Sequence, residues 1–203
     1  MSAIRTSTLR KPAKERKAEI VETTIRLAAD IGPDRLTTDQ LAEEIGISQA
    51  AIFRHFATKA DIWEAVGKSI CEMMGDHMRV VVQSSSQVVL LKKSVIAQLK
   101  FIGRTPAVPA ILFSRELHAE NETLRLIFVS LMERRHKKLS KIIECAILQG
   151  EFRAELNADD AAYLILSLIQ GLAMRWSLNT RKFDLPSEGE RLLSVLVKGF
   201  AKV

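Results

Sequence analysis

The run Thr37–Lys59, TTDQLAEEIGISQAAIFRHFATK, decides the fold. Two short helical patterns flank a break at Gly46-Ile47-Ser48. Leu41, Ala42 and Ile45 put an apolar stripe on the first. Gly46 stands where a helix end favours a left-handed residue. Ser48 suits the N-cap of the next helix, its hydroxyl accepting from a free backbone N–H. Ala51, Ile52 and Phe56 supply the buried side of that second helix, expected over Ser48 to Phe56. A helix, a short turn containing Gly and a second helix form a helix-turn-helix, whose second helix enters the DNA major groove.

Base reading needs small or polar side chains at the exposed start of that helix, and Ser48, Gln49, Ala50 and Ala51 stand there. Gln49 suits a bidentate contact to adenine, and an alanine methyl suits a thymine methyl. Phosphate positioning needs donors around the same helix; Thr38, Arg54, His55, Thr58 and Lys59 qualify. Lys59 also opens a helix, whose free N–H groups favour a phosphate.

Outward from this core the chain reads as helix throughout. The pattern predicts a first helix from Ala13 to Asp30, ended by Gly32-Pro33, and a second capped by Thr37 or Thr38. Thr58 caps a long fourth helix to about Val82, with Ile62, Trp63, Val66, Ile70, Met73 and Met74 on its apolar side. Further helices are expected over Val88–Gly103, Ala110–Leu117, Asn121–Gln149, from Asn157 or Asp159 through Trp176, and over Ser187–Phe200. The fold class is all-α with about nine helices. A flexible basic arm at 1–12, a DNA-binding unit at 13–60 and a helical ligand-binding and dimerisation unit at 61–203 are the expected divisions. The arm, with Arg5, Arg10 and Lys11, is either a phosphate or minor-groove contact or a solvated tail.

The 203 residues are 47% hydrophobic and 27% charged, with net charge +6, which suits a polyanionic partner. No apolar run reaches the roughly 18 residues of a membrane span, and no leader pattern opens the chain. The two cysteines, Cys71 and Cys145, are too few for a disulfide framework and read as buried thiols. A cytoplasmic location is expected, at the nucleoid when DNA is bound.

The ungapped segment from Ala13 to Val66 resembles the DNA-binding segment of the TetR (tetracycline-repressor) family of bacterial transcription regulators. Thr37-Thr38, Leu41-Ala42, Gly46-Ile47-Ser48, Phe53-Arg54-His55-Phe56 and Lys59 carry the likeness in register. Weaker echoes are FSRELH at 113–118, QGEFR at 149–153 and LIQGLA at 168–173. The resemblance implies a homodimer that binds a palindromic operator on double-stranded DNA, most often as a repressor, and is released by a small-molecule effector in the C-terminal domain. It implies base contacts from Gln49, Ala50 and Ala51, and phosphate contacts from Thr38, His55, Lys59 and position 53. The family's tyrosine hydroxyl is missing at Phe53, and Arg54 beside it could compensate. No catalytic residue, cofactor or metal is expected. The alternative keeps DNA binding without a ligand, the C-terminal domain engaging a protein partner.

Ala161 to Trp176 is apolar on nearly every side, which suits a helix central to a core or pressed against another subunit. With the final helix it predicts a four-helix dimer seam through Leu164, Leu168, Leu172, Leu192 and Leu196. Candidate effector-pocket residues are Phe101, Phe113, Phe128, Met132, Met174, Arg175 and Trp176, each equally readable as core. Arg175 suits either a pair across the seam or an acidic ligand. The polar cluster Arg115, Glu116, His118 and Glu120 reads as a solvated loop, and His136 as part of a solvated basic helix face.

Overall fold

The computed structural model describes residues 11–79 and 85–202. The expected arm at 1–12 and the end of the fourth helix at Val80–Val82 therefore lie largely outside the described residues. Ten helices run in order: α1 (Ala13–Ile31), α2 (Thr38–Ile45), α3 (Gln49–Phe53), α4 (Lys59–Arg79), α5 (Gln87–Arg104), α6 (Ala107–Leu112), α7 (Arg115–Glu120), α8 (Glu122–Leu148), α9 (Ala158–Leu178) and α10 (Leu185–Phe200). The all-α expectation holds. The count exceeds nine among the described residues because the stretch expected as one helix at Ala110–Leu117 is two. Phe113 leaves helical geometry, and the Ser114 hydroxyl caps α7 by accepting from the Leu117 N–H at 3.0 Å. The cluster expected in a solvated loop is thus helical.

Local chemistry sets the ends. Thr37 and Gln40 form a capping box at the start of α2, each side chain bonding the other's backbone N–H. Asn157 caps α9 through the N–H groups of Asp159 and Asp160. The phrase Gly150-Glu151-Phe152 has a physical use. Gly150 turns the chain at φ 71°. The Glu151 carboxylate then accepts from the Ser86 hydroxyl and from the N–H groups of Gln87 and Val88, pinning α5 to the end of α8. Partial burial alone would raise this carboxyl's pKa; the bonds from Val88, Ser86 and Gln87 outweigh it and lower it.

α1 packs on α2, α4 and α6, while α5, α8, α9 and α10 pack on one another, and α4 joins the two groups through α5 and α8. One continuous apolar core runs through both. On α4, Ile62, Trp63, Val66, Ile70 and Met74 are buried as expected, but Met73 is exposed. Helix α9 is long and apolar enough to cross a membrane by length and composition, contrary to the expectation that no run is; here it lies against α5, α6, α8 and α10.

Arg135, buried at 4% exposure, was not foreseen in the core. Its guanidinium donates to Gln98 Oε1 at 2.6 Å, Ser94 Oγ at 2.9 Å and the Ser94 carbonyl at 3.2 Å. Burial lowers its pKa to about 10, so the cation persists at neutral pH, tying α8 to α5.

Candidate DNA-reading helix and effector cleft

The turn between α2 and α3 forms as its residues dictate. Gly46 adopts φ 73°, and its N–H returns to Ala42 and Glu43 carbonyls. Ser48 Oγ accepts from the Ala51 N–H at 3.2 Å. Helix α3 is shorter than the expected Ser48 to Phe56, ending at Phe53; a tighter turn follows, with the His55 and Phe56 N–H groups both reaching the Ile52 carbonyl. Ile52 and Phe56 are buried and fix the helix to the core, while Ala51 is half-buried. Ser48 and Ala50 are exposed. Gln49 is half-buried, and its Nε2 donates to Thr38 Oγ1 at 2.8 Å. A candidate base contact and a candidate phosphate contact therefore hold each other.

Around this face Arg54, Thr58 and Lys59 are exposed and His55 is half-buried. Thr58 is a helix cap: its Oγ1 accepts from the Asp61 N–H at 3.1 Å, and Asp61 Oδ2 accepts from the Thr58 N–H at 2.8 Å. Phe53 is 39% exposed, so its ring stands at the surface and does not pack inward.

A cleft of about 440 Å³ opens between α8 and α9. Leu112, Phe128, Val129, Met132 and Leu166 form its apolar walls, with Arg125, Glu133, His136, Tyr163, Ser167 and Gln170 as polar groups. His118 also lines it, its Nε2 3.1 Å from the Leu112 carbonyl and its ring edge-on to Phe128 at 5.7 Å between centroids. A carbonyl only accepts, so Nε2 is the donor in this contact. The Nδ1 of the same ring is buried and without a hydrogen-bond partner. His136 is not simply solvated. Its ring stacks on Tyr163 at 4.0 Å, and its Nε2 lies 3.2 Å from the Asp159 carbonyl. Among the described residues, no group of three His, Cys, Asp or Glu side chains is placed to hold a metal.

Of the residues expected to line a pocket, Phe128 and Met132 face this cleft, and Phe113 lines a smaller chamber behind it. The other four are elsewhere. Phe101 is buried against the His77 ring at 5.9 Å. Trp176 is buried with Nε1 donating to the Phe183 carbonyl at 3.0 Å. Arg175 pairs within its own chain, 2.5 Å from Glu188 Oε1 and 5.0 Å above the Phe183 ring. Met174 lies on the outer surface. Composition could not separate Phe101, Met174 and Trp176 from the lining, because apolar and aromatic residues serve cores and pockets alike. The lining residues His118, His136, Tyr163 and Gln170 were missed. The i, i+4 and i, i+7 spacing of Tyr163, Ser167 and Gln170 on one α9 face was the available signal.

On the outer face of α9 and α10, Leu164 is 51%, Leu178 76% and Val195 65% exposed. Leu168, Leu192 and Leu196 are half-buried beside them. Leu172 is the exception among the expected seam residues: it is buried at 3% exposure within its own chain.

Residues 20–66 match the family described as bacterial regulatory proteins, tetR family, and residues 67–199 match the C-terminal region of YsiA-like proteins. The chain belongs to the TetR family of DNA-binding transcriptional regulators. Among relatives of this TetR-family chain, the nucleoid occlusion factor SlmA of Marinomonas sp. (strain MWYL1) is 27% identical over 158 residues, covering 77% of this chain and 80% of its own. A transcriptional regulator from Saccharomonospora viridis, solved in complex with choline, has the same fold: TM-score 0.81 at 21% identity, covering 94% of this chain and 100% of its own. So does FadR from Bacillus subtilis in complex with stearoyl-CoA, with TM-score 0.75 at 19% identity, covering 90% and 98%.

Proposed function

We propose that this TetR-family regulator is a homodimeric repressor of a palindromic operator, released by a small amphiphilic effector held in the cleft between α8 and α9. Residues 13–60 form the DNA-reading unit, and residues 61–203 form the effector and dimer unit. Ser48, Gln49, Ala50 and Ala51 read bases, while Thr38, Arg54, His55, Thr58 and Lys59 position phosphates, with Phe53 adding apolar contact. The dimer forms through the outer face of α9 and α10, where Leu164, Leu178 and Val195 otherwise leave large apolar side chains in water. A two-fold axis there sets two α3 helices in successive major grooves, roughly 34–36 Å apart.

The single observation that carries effector control is the cleft of about 440 Å³, within the range of small-molecule sites. A filled core would instead have favoured a C-terminal domain that serves only a protein partner. Apolar walls with Arg125 and His136 near them suit a molecule with an apolar body and a polar head. The stearoyl-CoA complex of a regulator with the same fold supports that class. Release requires the effector to bind the DNA-free geometry more tightly than the DNA-bound one.

Selection of bound sequences from random DNA, followed by mobility shifts with and without amphiphiles, tests the reading. A palindrome whose complex dissociates on amphiphile addition is expected. A non-palindromic site would sink the symmetric dimer. A palindrome insensitive to every apolar ligand would favour the protein-partner alternative. Leu164→Lys, at an exposed position, should leave the fold intact and yield monomers by light scattering; a dimeric Leu164→Lys would place the seam elsewhere.

A further inference from the structure

Among the described residues, three side-chain bonds cross from residues beyond α4 to the DNA-reading unit. Two leave the ends of α7: the Ser114 hydroxyl donates to Asp34 in the α1–α2 loop, and Asn121 Nδ2 donates to the Ala60 carbonyl at 3.1 Å. The third comes from the α9–α10 turn. Arg181 Nη2 donates to the Ala29 carbonyl at 2.6 Å, across 152 positions. Leu178, the most exposed apolar residue of the outer α9–α10 face, stands shortly before it. Among the described residues α1 has no broad packing against α9 or α10, so this bond is a direct tie between α1 and the end of α9.

Both sides of the bond are unusual. Ala29 lies in the last turn of α1, where carbonyls have no partner within the helix. That turn has no basic residue of its own, and Gly32 ends it at φ 87° and ψ 147°, outside the left-handed conformation that returns an N–H to those carbonyls. A guanidinium there is favoured by the helix dipole as well as by the hydrogen bond. On the other side, the Arg181 N–H returns to the Trp176 carbonyl at 2.9 Å and the Thr180 N–H to the Ser177 carbonyl at 3.1 Å. This pattern of helix ending ordinarily turns on glycine. Here Thr180 takes φ 50° and Arg181 φ 64°. A β-branched residue in that region is a costly outlier, and such strain persists where the conformation it imposes is in use. The use on view is that the turn carries the Arg181 guanidinium to the end of α1.

We infer that Arg181 is a positioning residue for DNA reading: it fixes α1 to the end of the dimer helix α9, and so sets the separation of operator half-sites that the dimer accepts. The inference rests on the dimeric-repressor reading above. Helix α1 packs on α2 and α2 on α3, so what holds α1 also holds the reading helix. Two such bonds, one in each protomer, hold the two reading helices at one separation. Adding or removing one base pair between half-sites shifts one of them by about 3.4 Å and turns it by about 35°, which the protein or the DNA must absorb.

The test measures binding of the full-length protein to four duplexes: the palindrome recovered by selection, the same palindrome with its centre one base pair longer or shorter, and a single half-site. The wild type should favour the native spacing by about tenfold, the low end of what deforming DNA costs. Arg181 is exposed, so Arg181→Ala should fold and dimerise as the wild type does by light scattering. It should narrow the spacing preference about threefold, the worth of one modest hydrogen bond, and leave half-site affinity unchanged. A dimeric Arg181→Ala protein that keeps the full spacing preference would overturn the inference. An equal loss on all four duplexes would make Arg181 a phosphate contact and overturn it too. A selection that yields no palindrome would instead sink the dimeric reading on which it stands.

Discussion

Gln49 Nε2 lies 2.8 Å from Thr38 Oγ1, so the candidate base contact is held by a candidate phosphate contact. The bond restricts Gln49 before DNA arrives and lowers the ordering cost of a bidentate contact. Gln49→Ala should relax base preference at one operator position by about 1–3 kcal/mol. Thr38→Val keeps Gln49 but frees it, and should weaken affinity and blur the same position. Mobility shifts over a set of single-base operator variants measure both. A Thr38→Val protein that loses affinity evenly across all variants would make Thr38 a phosphate contact only.

Lys59 is exposed at the first position of α4, a helix end whose free N–H groups favour an anion. Lys59→Ala should weaken binding to every sequence alike and reduce the slope of log K against log salt by about 1. Titration at several salt concentrations checks this. A base-specific loss would move Lys59 to the readout set.

Glu188 joins α10 to α9. It accepts from Arg191 at 2.8 and 2.9 Å and from Arg175 at 2.5 Å. The bonds from Arg191 first, then Arg175, lower its carboxyl from 4.5 to about 2. A carboxyl with a depressed folded pKa gives its full contribution above pH 4.5 and loses it as pH falls through about 2. Unfolding midpoints of the wild type should therefore drop more steeply over that acid window than those of Glu188→Gln. Parallel curves would show that the pair is fully screened by solvent.

Gly189 on α10 is buried because Leu99 of α5 fills the place a Cβ would occupy. Leu99 is itself fully buried, so its side chain must shift within the core to make room. Gly189→Ala should cost about 1–3 kcal/mol of stability through overpacking, although alanine is the better helix former. Chemical denaturation measures it. A gain in stability would mean that α5 and α10 can separate freely.

The chain by itself determined the helix-turn-helix, because its information is local. Caps at Thr37, Ser48 and Thr58 and the left-handed Gly46 act within four residues. The apolar spacing of α1, α4, α8 and α10 was equally legible, as periodicity needs only the neighbouring turns. Tertiary structure decided the rest. The Gln49–Thr38 bond spans 11 positions and depends on the angle between α2 and α3. The burial of Arg135 on Ser94 and Gln98 spans about 40 positions and depends on how α5 meets α8. Whether Phe128 lines a cleft while Phe101 fills a core turns on which helix lies opposite each. So does the turning of Arg175 back to Glu188 in its own chain. Local sequence fixes where a side chain leaves its helix; only the packing of the other helices fixes what it meets.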